Sequence, residues 1–185
     1  MLKKKLLNLA KLIFPIHRSI TGEGNRNTLK LLQNINKEIR IKKIKTGQKV
    51  FDWTIPKEWK INSAYIIDPL GKKICDIKNN NLHIVSYSKP VNKTLNFKTL
   101  NRKLHSIPSI PNAIPYVTSY YKEDWGFCIT ENDRKNLIKK GKYKVFIDSK
   151  IFNGVLNYGE AFIKGKSKKE VLISSYICHP SMANN

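Results

Sequence analysis

The residues best suited to chemistry are Cys178, His179, Pro180 and Ser181, near the end of the sequence. They follow an apolar run at 171–177 that reads as a buried strand, since strands covered on both faces are almost continuously apolar. In open α/β sheets the strand ends present ligands along one edge. A neutral imidazole carried out of such a strand is a frequent metal ligand. The pattern therefore predicts that His179 binds a metal ion.

A single histidine does not complete a metal site. Catalytic zinc needs about three protein ligands and an open position for water, and paired sites add a bridging donor between ions roughly 3.5–4 Å apart. We expect the further donors to lie outside these 185 residues. Five carboxylates are candidates for a base, but their placement pairs none of them with His179, and none is assigned to catalysis. They are Glu23, Glu58, Glu123, Glu131 and Glu160.

Composition indicates a folded protein of a reducing compartment. The chain is 41% hydrophobic, which is more than disordered chains carry, so its high charge does not predict disorder. Its three cysteines are far apart and form no Cys-x-x-Cys pair. Neither a disulfide framework nor a structural zinc knuckle is predicted, and a cytoplasmic location is expected.

The net charge of +22 raises the question of a nucleic-acid partner. Only five of the basic residues are arginine, the side chain whose fork suits phosphate best. The lysines are also spread from Lys3 to Lys169 and do not form one stripe. Solvated lysine faces explain this pattern better than a specific nucleic-acid site.

The first fifteen residues superficially resemble a signal peptide with a basic start. Asn8 and Lys11 interrupt the apolar stretch, while Leu6, Leu9 and Leu12 follow helical spacing. An amphipathic helix packed on the domain is therefore predicted. No run approaches the ~20 apolar residues of a membrane span.

Between residues 49 and 112 short β-type runs alternate with turn signals, which predicts a compact β-rich unit. Within it, 65–68 and 73–76 are predicted to form a hairpin. After the prolines at 108, 111 and 115, a short helix is expected from Thr130. Strands are then expected at 143–148 and 154–164, joined as a hairpin at Asn153-Gly154, and at 170–177. The predicted fold class is α/β, with residues 1–48 and 113–185 in a mixed-sheet core and 49–112 inserted.

From end to end, the chain resembles a bacterial aminopeptidase-like zinc hydrolase family, often described as polysaccharide-biosynthesis proteins with an aminopeptidase-like domain. Several motifs carry the resemblance in order and spacing. They are FPIHRSITGEG at 14–24, VFDWTIPKEW at 50–59, LHIVSYS at 82–88, IPYVTSYY at 114–121 and CHPS at 178–181.

The resemblance implies the N-terminal part of an aminopeptidase-like α/β core that holds two zinc ions and carries a small β-rich insert. In the family's pattern the histidine matched by His179 binds one zinc, and an acidic residue soon after it bridges both ions. Here that second position is Asn185, which keeps a carbonyl donor but lacks the negative charge that screens two dications from each other. The family's other ligands and its catalytic glutamate fall beyond residue 185.

Two weaker binding residues are predicted. Arg18 lies in a loop that contains Gly22 and Gly24, and its guanidinium could grip a carboxylate or phosphate with two donors, although a structural salt bridge is the commoner role. Tyr121 could line the cleft or simply fill a packed seam.

Two functions remain open from the sequence. The first is a truncated member of a zinc-dependent hydrolase family whose complete relatives use metal-activated water to attack a peptide or aminoacyl amide. This chain alone is then expected to retain little zinc and to be inactive. The second is a non-catalytic module whose insert and basic surface bind an anionic polysaccharide or its precursor. Oligomeric state is not predictable.

Overall fold

The computed structural model describes residues 2–181, and the chain divides into two units. Unit 1 consists of Met1–Glu58 and Phe152–Asn185, and unit 2 consists of Trp59–Ile151. Unit 1 is thus built from two separate stretches of sequence. The predicted insert, 49–112, shares residues 59–112 with unit 2, and its status as a separate domain stays a prediction.

The described residues of unit 1 form two helices and two small antiparallel sheets. Its elements are α1 (Leu2–Ile13), α2 (Glu23–Ile35), β1 (Arg40–Lys45), β2 (Lys49–Val50), β3 (Trp53–Thr54) and, from the second stretch, β10 (Val155–Glu160). Strands β1 and β10 pair with Arg40 opposite Glu160, while β2 pairs with β3. The predicted N-terminal helix is formed.

Unit 2 is organised around a four-stranded sheet of order β5-β4-β9-β6. Its elements are β4 (Glu58–Ile67), β5 (Lys73–Ile74), a 3₁₀ turn (Asn81–His83), β6 (Val91–Asn96), α3 (Phe97–Asn101), β7 (Leu104–His105), β8 (Phe127–Cys128), α4 (Glu131–Lys135) and β9 (Lys142–Phe152). Strands β4 and β9 each extend one residue into unit 1. Strand β9 buries Tyr143, Val145 and Ile147 at alternate positions, the period-2 pattern of a strand with one covered face.

Local signals in unit 2 act as predicted. Strands β4 and β5 form the expected hairpin, and the Asp68 carboxylate accepts hydrogen bonds from the backbone N–H groups of Leu70 and Lys72 in its turn. Thr130 caps α4, its hydroxyl accepting from the N–H of Asp133 at 3.0 Å. These elements are specified by neighbouring residues, so the sequence is sufficient to predict them.

Two strand predictions were wrong. The expected hairpin at Asn153-Gly154 does not form, because β9 lies between β4 and β6 whereas β10 pairs with β1. Residues 171–177 have no regular secondary structure and are not part of any sheet among residues 2–181, and their first three side chains are exposed. An apolar run becomes a buried strand only where neighbouring strands cover it, and residues 2–181 supply no such neighbour.

The α/β class is consistent with this mixture of helices and small sheets. Within residues 2–181, no helix combines the length and apolar content that crossing a membrane requires.

Candidate functional site

The predicted metal ligand lies just after the segment 171–177, at the start of a turn. The half-buried His179 is followed by the buried Pro180, and its Nδ1 accepts a hydrogen bond from the backbone N–H of Ser181 at 3.2 Å. Burial lowers the pKa of His179, and the positive charge of Arg18 lowers it further. Both effects favour the neutral imidazole, which is the form that binds metals.

Arg18 is the residue that holds this turn. Its side chain is 1% exposed, and it donates from Nε and Nη2 to the carbonyl oxygen of His179 at 3.0 and 2.7 Å. Nη2 also lies 3.5 Å from the carbonyl of Pro180, and Nη1 donates to the carbonyl of Ile13 at the end of α1. Residues 161 positions apart in sequence are thereby connected through one guanidinium.

The loop before α2 explains how Arg18 reaches this position. Ser19 donates its hydroxyl hydrogen to the carbonyl of Thr21 at 2.6 Å, and Gly22 precedes the helix with φ of 98°, a conformation that favours glycine. Gly24 packs so closely against the carbonyl of His17 that a Cβ would overlap it. Much of the 14–24 motif therefore serves to shape the loop that carries Arg18.

The burial of Arg18 bears on its predicted role. The hydrogen bonds described above for Arg18 all go to backbone carbonyls, and burial lowers its pKa. Hydrogen bonds from a charged donor contribute about 1.5–3 kcal/mol each, so this arrangement offsets part of the cost of burying the charge. The geometry favours positioning of the His179 turn, and direct contact of Arg18 with substrate stays a prediction.

A zinc site requires about three or four protein ligands close together. Within residues 2–181 no group of three or more His, Cys, Asp and Glu side chains is close enough to hold an ion. His179 offers one ring, and its Nδ1 accepts a hydrogen bond, whereas a ring that binds zinc through Nε2 donates one from Nδ1. The described part of the chain thus offers His179 as one candidate ligand and does not by itself complete a zinc site. Asn185 lies outside the described residues.

The other predicted site residue belongs to the second unit. Tyr121 is 78% exposed, and its ring packs against that of Tyr120 with centroids 4.5 Å apart. Tyr120 in turn meets Tyr87 edge-on at 5.6 Å. Among the predicted site residues that the structure describes, the contact shown is the one between Arg18 and His179.

Two polar features of unit 1 were not predicted. Glu58 is buried, receives a 2.6 Å bond from the Nη2 of Arg26, and accepts from the N–H of Val155 at 3.1 Å. Asn25 is 4% exposed, and its Oδ1 accepts no hydrogen bond from the described residues. The sequence does not predict the burial of either residue, because single Asn and Glu residues are common on exposed surfaces.

Asn25 lines a cavity of about 470 Å³ within unit 1. Leu29 and Leu32 of α2, Leu156 of β10 and Ile173 supply part of its apolar wall. The thiol-bearing Cys178 also borders it, and burial raises the pKa of that thiol.

Comparison with known proteins decides the family. A family model described as a domain of unknown function, DUF2172, matches residues 58–150, which is half of the chain. The chain belongs to the DUF2172 family. It is also 47% identical over 181 residues to a Clostridium acetobutylicum protein provisionally named a polysaccharide biosynthesis protein with an aminopeptidase-like domain, which confirms the resemblance inferred from the motifs.

The structural comparison agrees. A crystal structure from Clostridium acetobutylicum, provisionally described as a peptidase, matches 98% of this DUF2172 chain with a TM-score of 0.92 and 47% identity. The chain covers 41% of the curated relative and 43% of the crystallised one, so it spans less than half the length of either.

Proposed function

We propose that this chain provides the N-terminal part of a zinc-dependent aminopeptidase-like hydrolase acting on peptide or aminoacyl amides. The observation that carries the proposal is the His179 turn, held in place by the buried Arg18, in a chain 47% identical to a protein named for an aminopeptidase-like domain. Arg18 fixes the backbone of the turn, and His179 offers a neutral imidazole. When bound, zinc would supply an activated water in the complete enzyme.

The chain alone is proposed to be inactive. We assign no catalytic residue within it, because no described carboxylate forms a metal-binding group with His179. After dialysis, the 185-residue protein should retain little zinc and release no product from aminoacyl p-nitroanilides. Robust metal-dependent turnover by this chain would contradict the proposal.

A chimera tests the positive side of the proposal. The chain is joined to the part of the Clostridium acetobutylicum protein that follows the matched segment, and zinc content and p-nitroanilide release are measured. His179→Ala should lower both zinc content and turnover at least tenfold. The matched control is His83→Gln, whose ring instead bonds the carbonyl of Cys128 in unit 2. Equal zinc content and turnover in the unsubstituted and His179→Ala chimeras would exclude His179 as a ligand.

A second function is favoured by one surface feature. Four of the six residues of β1 are exposed cations, namely Arg40, Lys42, Lys43 and Lys45. Such a cluster attracts an anionic polymer, consistent with the polysaccharide named for the relative. Replacing the three lysines by glutamine should lower the salt concentration that elutes the chain from an anionic-polysaccharide resin. The control replaces Lys164, Lys166 and Lys168 by glutamine. If both triple variants lower the eluting salt concentration equally, net charge and not the β1 cluster determines retention.

A further inference from the structure

Helix α1 leaves much of its apolar surface exposed. An amphipathic helix that packs on a domain turns its apolar stripe inward. Here Ile13 is 5% exposed, whereas four other large apolar side chains of α1 and its end are more than half exposed. They are Leu6 at 57%, Leu7 at 54%, Leu12 at 61% and Phe14 at 58%. Packing within residues 2–181 therefore accounts for part of the apolar pattern of this helix.

One face of α1 is turned toward the rest of unit 1. Leu6, Leu9 and Ile13 are three and four residues apart, which places them on the same side of a helix. All three border a cavity of about 260 Å³, together with Leu32 of α2. At the end of α1, Arg18 donates from Nη1 to the carbonyl of Ile13. Unit 1 thus holds the helix through this face and its last turn.

The other face of α1 combines apolar and cationic side chains. Spacings of four, four and three residues, typical of one helix face, separate Lys3, Leu7, Lys11 and Phe14. Phe14 follows the last helical residue, but its backbone N–H still donates to the carbonyl of Ala10 at 2.8 Å, so the helical path continues to it. All four side chains are exposed. We call these four residues the α1 outer face.

The charge of α1 has a single sign. The helix contains Lys3, Lys4, Lys5 and Lys11 but no acidic residue, and the first acidic residue of the chain is Glu23. Among the described residues, every ion pair involves a cation outside α1. The helix is therefore complementary to an anionic surface. Near an anionic lipid leaflet each lysine strengthens binding about fivefold.

We propose that the α1 outer face binds the surface of an anionic lipid bilayer, with α1 lying in the plane of the interface. Leu7 and Phe14 enter the boundary between head groups and acyl chains, while Lys3 and Lys11 extend to the lipid phosphates. Exposed apolar side chains between the lysines favour a bilayer over an anionic polysaccharide, because a polysaccharide has no acyl interior to receive them. The proposal does not depend on zinc or on hydrolysis.

Vesicle sedimentation of the 185-residue chain tests the proposal. The vesicles contain phosphatidylcholine and phosphatidylglycerol in equal parts, or phosphatidylcholine alone. Binding to the anionic vesicles should be at least about tenfold tighter. The double substitution Leu7→Ser and Phe14→Ser should weaken it roughly tenfold, because the apolar contribution is lost. The matched control replaces Leu70 and Phe162, which are also exposed and lie outside α1, by serine and should leave binding unchanged.

Paired lysine variants separate the α1 outer face from net charge. Lys3→Gln with Lys11→Gln should weaken binding to the anionic vesicles at least about tenfold. Lys164→Gln with Lys166→Gln removes the same charge outside α1 and should change binding less than about twofold. Equal effects of the two lysine pairs would overturn the proposal. Equal binding to both kinds of vesicle, or full binding by the Leu7→Ser and Phe14→Ser variant, would also overturn it.

Hydrogen exchange identifies the part of the chain that contacts the bilayer. With anionic vesicles, amides of α1 should exchange at least about tenfold more slowly, whereas amides of β9 should be unchanged. Unchanged exchange in α1 would overturn the proposal. The chimera is measured in parallel, and loss of vesicle binding there would overturn it too, because the added polypeptide then covers α1. Absence of turnover in a chimera that binds vesicles would count only against the proposed function.

Discussion

At the scale of single residues, the backbone of the His179 turn is held by a buried cation. A guanidinium presents five donors in a fixed plane, so Arg18 can bond several carbonyls at once. A lysine ammonium is a single point of charge and cannot span the same acceptors. The residue type is therefore as important here as the charge.

Replacing Arg18 by lysine tests this role. We expect Arg18→Lys to lower the free energy of unfolding of unit 1 by about 1.5–3 kcal/mol, because hydrogen bonds from the guanidinium to buried carbonyls are lost. Urea denaturation measures the change. The exposed Arg102 provides the control, and Arg102→Lys should stay within about 0.5 kcal/mol of the parent. Equal effects of the two substitutions would contradict the positioning role.

The pH dependence of stability should include a contribution from His105. Burial lowers the pKa of His105, and the positive charge of Arg134 adds to this effect. Below the unfolded value of about 6.5, the unfolded chain takes up a proton that the folded chain resists. The free energy of unfolding should therefore fall as pH decreases from 7 toward the folded pKa. Urea titrations at pH 7, 6 and 5 measure how steeply the free energy of unfolding falls with pH. This fall should be shallower for His105→Gln, and an unchanged dependence on pH would exclude this contribution.

The three cysteines should differ in reactivity. Burial raises the pKa of Cys75 and Cys128 to about 12, so almost no thiolate forms there at neutral pH. Cys178 is only half-buried. Iodoacetamide should label Cys178 first in the native protein, and mass spectrometry of the peptides should find Cys75 and Cys128 modified only in urea. Native labelling of Cys128 as fast as Cys178 would contradict the burial.

At the scale of elements, the loop before α2 depends on a close backbone approach. Gly24 lies against the carbonyl of His17, and a Cβ there would overlap it. Gly24→Ala should lower the free energy of unfolding by about 1–3 kcal/mol, as overpacking commonly does. At Gly165 a Cβ would meet nothing within 4 Å, so Gly165→Ala serves as the control and should be nearly neutral. Thermal unfolding followed by circular dichroism measures both.

Elements with local signals were predicted well, and those that depend on distant partners were not. The β4–β5 hairpin and the cap of α4 follow from Asp68 and Thr130 alone. The strong turn signal at Asn153-Gly154 failed because β9 pairs with β4 and β6, strands more distant in sequence than β10. Periodicity identifies a strand but does not identify its partners.

At the scale of the whole molecule, the unequal cores of the two units predict unequal stability. Because unit 1 buries few apolar side chains, its strands should open with less free energy than those of unit 2. Native-state hydrogen exchange should find amides of β1 and β10 less protected than amides of β4 and β9. Equal protection in all four strands would show that the chain unfolds as one cooperative unit.

The sequence by itself determined the family resemblance, indicated the α/β class and singled out Arg18 and His179 as candidates, because these depend on residue types and their order. Only the tertiary structure showed that Arg18 bonds the backbone of the His179 turn, since 161 residues separate the two. It also left Val171, Leu172 and Ile173 uncovered. Their apolar character favours burial wherever a partner strand is available, and the availability of that partner is a property of the fold, which local sequence does not encode.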